Sequence, residues 1–263
     1  MDDRTQRRPE DPSEQAGRPL RAAEVDPGMA ALCVAAWPIL VIHLCYGWSV
    51  AEGFVELCNP YWDGCSSISR AGRHGSAHHL FKAAMLPYAA LLGVFWWVCH
   101  HWLATLAARA GLPGPSPSGS RGSPALLAAG WLGVVFLVLY ATFLGIDGPA
   151  YQLMRRYGIN VYFGATWLAQ TILAVRLLRL SRVPAVSAGP GPVLPRAIVV
   201  AITVLSAGVF VLGAAFFAAR GLVPLDRDRW ENALEWIIAL AMQASLLLVA
   251  AGWRASRLRI AFG

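Results

Sequence analysis

Charge is what this chain has least of. Asp, Glu, Lys and Arg make up 14% of its 263 residues, where a soluble globular domain carries about 25%. Lysine is nearly absent: Lys82 stands against 21 arginines. Cysteine is also sparse, at five. The chemical motifs that announce common enzyme classes are missing. There is no glycine-rich phosphate loop, no dinucleotide fingerprint, no GxSxG elbow and no HExxH pair, so nothing points to a P-loop, nicotinamide, α/β-hydrolase or zincin chemistry. No CxxC spacing indicates zinc. No nucleic-acid-binding motif accompanies the net charge of +7; basic residues beside apolar spans hold anionic headgroups and fix topology instead. The reading therefore includes no metal, no cofactor and no nucleic acid, with membrane lipids as the expected partners and membrane proteins as further ones.

What the chain has is apolar length. Hydrophobic residues make up 57% of it, in runs long enough to cross a bilayer at about 20 residues each. Six are apparent, at roughly 29–50, 82–106, 125–146, 159–180, 197–219 and 232–253. In lipid each must satisfy its backbone internally, so each is expected as a helix. The fold class predicted is all-α, a six-span membrane bundle over 29–255. Residues 1–28, polar and Pro-rich, are expected as a disordered cytoplasmic tail, and 256–263 as a short basic one. Ser49-Val50-Ala51 resembles a signal-peptide cleavage site, but the run before it is too long for a signal core and reads as a retained anchor.

Basic residues orient the bundle. The side with both chain ends and the 107–124 and 181–196 loops holds 14 of the 22 Lys and Arg, which favours N-in, C-in. That places the protein in a cell membrane as a multi-pass protein, the plasma membrane if the source is bacterial. After Asp26 every acid falls on the other side or near an outer span end: Glu52, Glu56, Asp63, Asp147, Asp226, Asp228, Glu231 and Glu235. The inner linkers 111–124 and 184–195 are rich in Pro, Gly and Ser and expected to be flexible.

The outer connections carry the candidate chemistry. Residues 65–81, CSSISRAGRHGSAHHLF, pack four Ser, two Arg, three His and two Gly between two apolar runs. Arg70 and Arg73 suit a phosphate, which arginine grips with two parallel bonds. Ser67 and Ser69 suit a turn or a helix cap. His74, His78 and His79 suit a metal ion, a proton shuttle or solvated interfacial positions, and no metal motif is spelled out around them. Arg155 and Arg156 open the fourth span, with Asn160 behind them. Asn232 and Glu235, three apart, share a face of the last helix; Glu235 lies about a turn inside and needs a partner there, for which the four outer arginines are the candidates. Gln170 and Gln243 suit interhelical hydrogen bonds. His43 has no partner visible in the sequence. Haem ligation by paired histidines has no support beyond the histidines themselves. His100 and His101 among Trp96, Trp97 and Trp102 read as an interfacial belt. Cys58 and Cys65 stand as either a disulfide or two free thiols; Cys33, Cys45 and Cys99 read as inert packing residues.

Ser67-Ile68-Ser69-Arg70-Ala71-Gly72 after the first span, Tyr162-Phe163 in the fourth and Glu235-Trp236 in the sixth resemble the FRAG/DRAM/Sfk family of six-span membrane proteins over roughly 60–255. The resemblance implies a role in lipid remodelling, autophagy modulation or phospholipid organisation. It favours Ser67, Ser69, Gly72, Glu235 and Trp236 as a shared site. The chain departs from the family where Cys65 and Ser66 replace the usual flanking prolines, and where Arg155 and Arg156 stand near a position that carries His in some members. The combined expectation is a lipid-recognising or lipid-remodelling site on the outer leaflet. Glu235, Ser69 and His74 would be its chemical groups. Ser67, Arg70, Gly72, Arg73, Arg155, Arg156, Asn160, Asn232 and Trp236 would be its binding groups. A non-enzymatic membrane organiser and a small transporter are the alternatives.

Overall fold

A computed structural model describes residues 23–25, 27–112, 122–188, 193–219, 226–258 and 260–262. It is helical, with six helices long and apolar enough to cross a membrane, and the protein is a multi-pass membrane protein. In chain order the elements are β1 (Ala23–Val25), α1 (Pro27–Ala51), α2 (Ile68–Ala71), α3 (Gly75–Arg109), α4 (Pro124–Phe143), α5 (Pro149–Leu180), α6 (Pro184–Ser187), α7 (Arg196–Ala219), α8 (Arg227–Ala255) and β2 (Ile260–Phe262).

The helix ends correct the expected spans. α3 begins at Gly75 rather than near 82, α5 at Pro149 rather than 159, and α8 at Arg227 rather than 232. An apolar window finds only the part of a helix that sits in hydrocarbon. The polar turns beyond it are helical because local capping extends them. Pro124 and Pro149 occupy first-turn positions, where a missing N–H costs nothing. The Ser123 side chain accepts from Leu126 N, and Asp226 from Arg229 N. The start of α3 is capped from a distance: Glu52 accepts from Ser76 N at 3.0 Å. Gly75 permits this. Its φ is +54°, and a Cβ there would run into the Glu52 carboxylate.

Two further expectations change. Residues 23–25, assigned to a disordered tail, pair antiparallel with 260–262 in the assigned basic tail. Residues 23–25 and 260–262 therefore meet at one end of the bundle. Within the inner linkers, 184–187 is a helical turn and Leu194 N donates to Val186 O; 113–121 and 189–192 lie outside the described residues.

The long helices close into a ring. α1 packs on α3, α3 on α4, α4 on α5, α5 on α7, α7 on α8, and α8 returns to α1. α7 is the most exposed span. Towards the end where β1 meets β2, the ring is filled by Trp96, Trp102 and Trp253, all buried, with the Phe95 ring tilted against Trp253 at 5.1 Å. The Trp102 indole donates to Ser256 Oγ at 3.0 Å. Trp96 and Trp102 are thus core residues and not an interfacial belt. Only Trp97 turns outward, against His101 at 4.3 Å. His100 is buried and its Nδ1 accepts from Ser123 N. At the opposite end the ring is open, and the 52–74 connection covers it.

Candidate functional site

The covering loop is closed on itself by a disulfide and fixed to α8 by two hydrogen bonds and an ion pair. Cys58 and Cys65 are joined as a disulfide, which settles the alternative left open by the sequence. Asn232 Nδ2 donates to Gly64 O at 2.8 Å and the Trp236 indole to Ser66 O at 2.8 Å. Arg229 stands 3.8 Å from Asp63. Gly64, at φ +58°, lets the loop backbone close on α8, since a Cβ there would strike Arg229 O. Tyr46 adds an anchor on α1, donating to Cys58 O at 2.8 Å and accepting from Cys58 N at 2.9 Å.

From this loop the chain enters α2. Ser67 caps it, accepting from Arg70 N at 3.1 Å. The single turn sets Ser67, Ser69 and Arg70 on the rim of a polar vestibule, with Arg73 just beyond. Arg155 and Arg156 come from the exposed first turns of α5. Glu231, Asn232 and Glu235 come from α8. The vestibule has a volume of about 610 Å³, within the ordinary range for ligand sites. Four arginines face two glutamates in it, a formal excess of two positive charges.

Its electrostatics are unsatisfied. Burial holds the Arg73 guanidinium below its ordinary value. Arg155 and Arg70 push the same way, and Glu235 opposes them. Arg73 Nε is buried without a hydrogen-bond partner, and so is Glu235 Oε1. The Glu235 carboxyl is set against the backbone N–H groups of Ile68 and Ser69 at the start of α2. It makes no ion pair within 4.0 Å with Arg70, Arg73, Arg155 or Arg156. The expected helix-locking ion pair is therefore not what holds Glu235; these groups share a cavity without closing on one another.

Not every candidate residue belongs to the vestibule. Asn160 is exposed and stands outside its lining. It follows the lining residue Ile159 by one position, about 100° further round the helix. Trp236 is fully buried and turns from Glu235 towards His43, Tyr46 and Tyr61, with ring centroids 5.4–5.8 Å away; its role is to hold Ser66. Gly72 is buried beneath the rim, where a Cβ would sit 2.8 Å from the Phe81 ring. His74 lies on the far side of Arg73, stacked on Phe54 in a second open cavity with Glu52, His78 and His79. Ser69 Oγ bonds to Tyr140 OH at 2.9 Å, so it is paired with Tyr140 and not with His74. Among the described residues no three His, Cys, Asp or Glu side chains are arranged to hold a metal ion.

Next to the vestibule, inside the ring, lies a small apolar slot of about 40 Å³. Ile42, Phe81, Met85, Leu137, Tyr162, Ala239 and Gln243 are among its walls. Ile159 lines both spaces, and Ile68 lines the slot between the two rim serines. Along α8, Glu235 faces the vestibule while Ala239, Met242 and Gln243 face the slot, a descent of about 12 Å at 1.5 Å per residue. Gln243 Oε1 is buried without a partner; Gln170 makes the expected interhelical bond, donating to Met242 O at 3.0 Å.

Sequence reading missed Tyr140 and Tyr61. Tyr140, from the middle of an apolar run, is indistinguishable by pattern from a core aromatic. Tyr61 supplies the partner that His43 lacked. His43 Nδ1 lies 2.6 Å from Ile39 O and so must donate, and Nε2 stands 3.0 Å from Tyr61 OH. His43 is exposed. Cys33 is likewise exposed, whereas Cys45 and Cys99 are buried.

Comparison of the chain with protein-family profiles, curated proteins and solved structures gives no significant match.

Proposed function

We propose that this membrane protein binds the phosphate-bearing headgroup of a membrane lipid in the vestibule, with an acyl chain widening the small apolar slot next to it. The observation that carries the reading is the adjacency of the two spaces. A cationic, water-accessible cavity neighbours an apolar slot, and they share Ile159 and draw on the same helix, α8. A phosphate relieves the mutual repulsion of the arginines and takes the bidentate contacts they offer. An acyl chain satisfies the slot, which has nothing polar to offer water near its walls apart from His43, the tyrosine hydroxyls and Gln243. The resemblance of the Ile68–Gly72 and Glu235-Trp236 segments to the FRAG/DRAM/Sfk family points the same way. With N-in, C-in topology the vestibule opens on the outer leaflet.

The reading is recognition first. Nucleophilic catalysis needs a nucleophile within hydrogen-bond reach of its base, and Ser69 has Tyr140 there instead. The test is native mass spectrometry of the purified chain with added phospholipids. Binding should weaken at least tenfold in Arg73→Gln/Arg155→Gln, since each charge-assisted contact contributes about 1.5–3 kcal/mol. Equal lipid retention by the double variant would defeat the reading. A lipidome whose acyl composition depends on Glu235 would add remodelling to recognition.

A further inference from the structure

The vestibule contains two orphaned polar atoms of opposite need. Arg73 Nε requires an acceptor, and Glu235 Oε1 requires a donor. Both are buried, both belong to residues lining the same cavity, and they do not satisfy each other. Several neighbouring groups are already engaged. Tyr140 OH and Ser69 Oγ bond to one another. Asn232 Nδ2 is given to Gly64 O and an Arg70 Nη to Cys65 O. The Ile68 and Ser69 N–H groups face the Glu235 carboxyl and leave Oε1 over.

A buried carboxylate oxygen without a donor is costly, and so is a buried guanidinium N–H without an acceptor. A ligand that occupies this cavity well must therefore bring both complements. A bare phosphate brings only the acceptor. It answers the arginines but places more negative charge beside Glu235. A phosphate joined to a primary ammonium brings an acceptor for Arg73 and N–H donors with a positive charge for Glu235. A quaternary ammonium carries the same charge but no N–H. Hydroxylated headgroups carry a donor without the charge.

We infer that the site selects a phospholipid headgroup bearing an N–H ammonium, of the phosphoethanolamine type, with Arg73 on the phosphate and Glu235 on the ammonium. This rests on the lipid-headgroup reading of the vestibule and specifies what that headgroup must be.

The N-methylation series tests it on the unmodified full chain. Phosphatidylethanolamine, its monomethyl and dimethyl derivatives and phosphatidylcholine, all with the same acyl chains, are titrated against the detergent-purified protein by native mass spectrometry. Charge is constant through the series, and the last N–H is lost only at the final methyl. The expected result is a fall in affinity of at least about tenfold concentrated at the step from dimethyl to choline. Glu235→Gln should flatten that step, so that the dimethyl and choline members bind within about twofold of each other, whatever the variant does to their common affinity. A smooth decline across the series, equal binding of the first and last members, or a step that survives Glu235→Gln overturns the inference. So does tighter binding of phosphatidylglycerol or phosphatidic acid than of phosphatidylethanolamine. If no phospholipid binds and Arg73→Gln changes nothing, the headgroup reading itself fails and this inference falls with it. Binding of all headgroups without discrimination leaves that reading standing and removes only this one.

Discussion

Trp236 holds the covering loop by one hydrogen bond, and the cost of losing it follows from what is left behind. Its indole N–H donates to Ser66 O at 2.8 Å, and both residues are 0% exposed. Trp236→Phe keeps an aromatic ring among His43, Tyr46 and Tyr61 but removes the donor. No water reaches the abandoned carbonyl, so the desolvation penalty stays, at about 1–3 kcal/mol. The smaller ring leaves unfilled space that adds ~1 kcal/mol. The total expected is a destabilisation of about 2–4 kcal/mol. Thr166→Val is the control. Thr166 Oγ1 is buried with no hydrogen-bond partner, so replacing the hydroxyl by a methyl abandons nothing, and stability should hold or rise by up to ~1 kcal/mol. Both variants lose one buried polar atom; only one orphans its partner. Circular dichroism during titration of the micellar protein with denaturing detergent reads both without relying on tryptophan emission. If Trp236→Phe unfolds within about 0.5 kcal/mol of the parent, or Thr166→Val loses as much as Trp236→Phe, the reasoning from buried hydrogen bonds is refuted.

Three further outcomes follow from the same coordinates. The Cys58–Cys65 bridge spans a sequence separation of 7, for which loop-closure entropy gives about 2.5 kcal/mol; Cys58→Ser/Cys65→Ser should lose that much in the same titration, and no loss would mean that the loop is held by its α8 contacts alone. Glu52 has its carboxyl held below the ordinary value of 4.5, first by the Ser76 side chain and also by its backbone N–H. A depressed folded value stabilises above the unfolded one and is lost as pH falls through it. Stability should therefore decline on acidification below about pH 4.5, with a smaller decline in Glu52→Gln; an identical acid limb in the variant would rule Glu52 out as the cause. Ala239→Trp fills the slot without touching the vestibule. It should weaken a long-chain phosphatidylethanolamine at least tenfold while sparing a dihexanoyl one, at an overpacking cost of about 1–3 kcal/mol. Equal loss of both lipids would show that the slot takes no chain.

Hydropathy made the six spans legible because length and apolarity alone decide them. It misplaced the starts of α3, α5 and α8, since capped polar turns outside hydrocarbon carry no apolar signal. Side and depth together found Ser67, Ser69, Arg70, Arg73, Arg155, Arg156, Asn232 and Glu235, and the fold gathers all eight around one cavity. The argument needed only that charged groups near the same end of a bundle have few places to go. It failed where the angle around a helix decides the outcome. Asn160 and Trp236 each sit one residue from a lining position, and that single step turns one outward and the other into the core. Tyr140 and Tyr61 were beyond reach for a different reason. Their partners, Ser69 and His43, lie 71 and 18 residues away in the chain, and only the ring closure brings them together.

That closure also determines how the vestibule is held. α5 and α8, which supply the arginine pair and Glu235, are separated in the ring by α7. A direct tie between them, Gln170 Nε2 donating to Met242 O, lies about two turns of α8 away from Glu235. The piece that spans the gap is α2, a single turn whose rim serine bonds to Tyr140 of α4 and whose first N–H groups meet Glu235 of α8. A single turn has no independent stability, because helix nucleation is unfavourable. It persists because Asn232 and Trp236 pin the disulfide-closed segment before it to α8, while Gly72 and Ala71 bury its far end against α3 and α1: Ala71 O accepts from Ser49 Oγ at 2.7 Å, and Gly72 lies on Phe81. The distance between the arginines and Glu235, on which any choice of headgroup depends, is in this fold a property of the loop as well as of the spans.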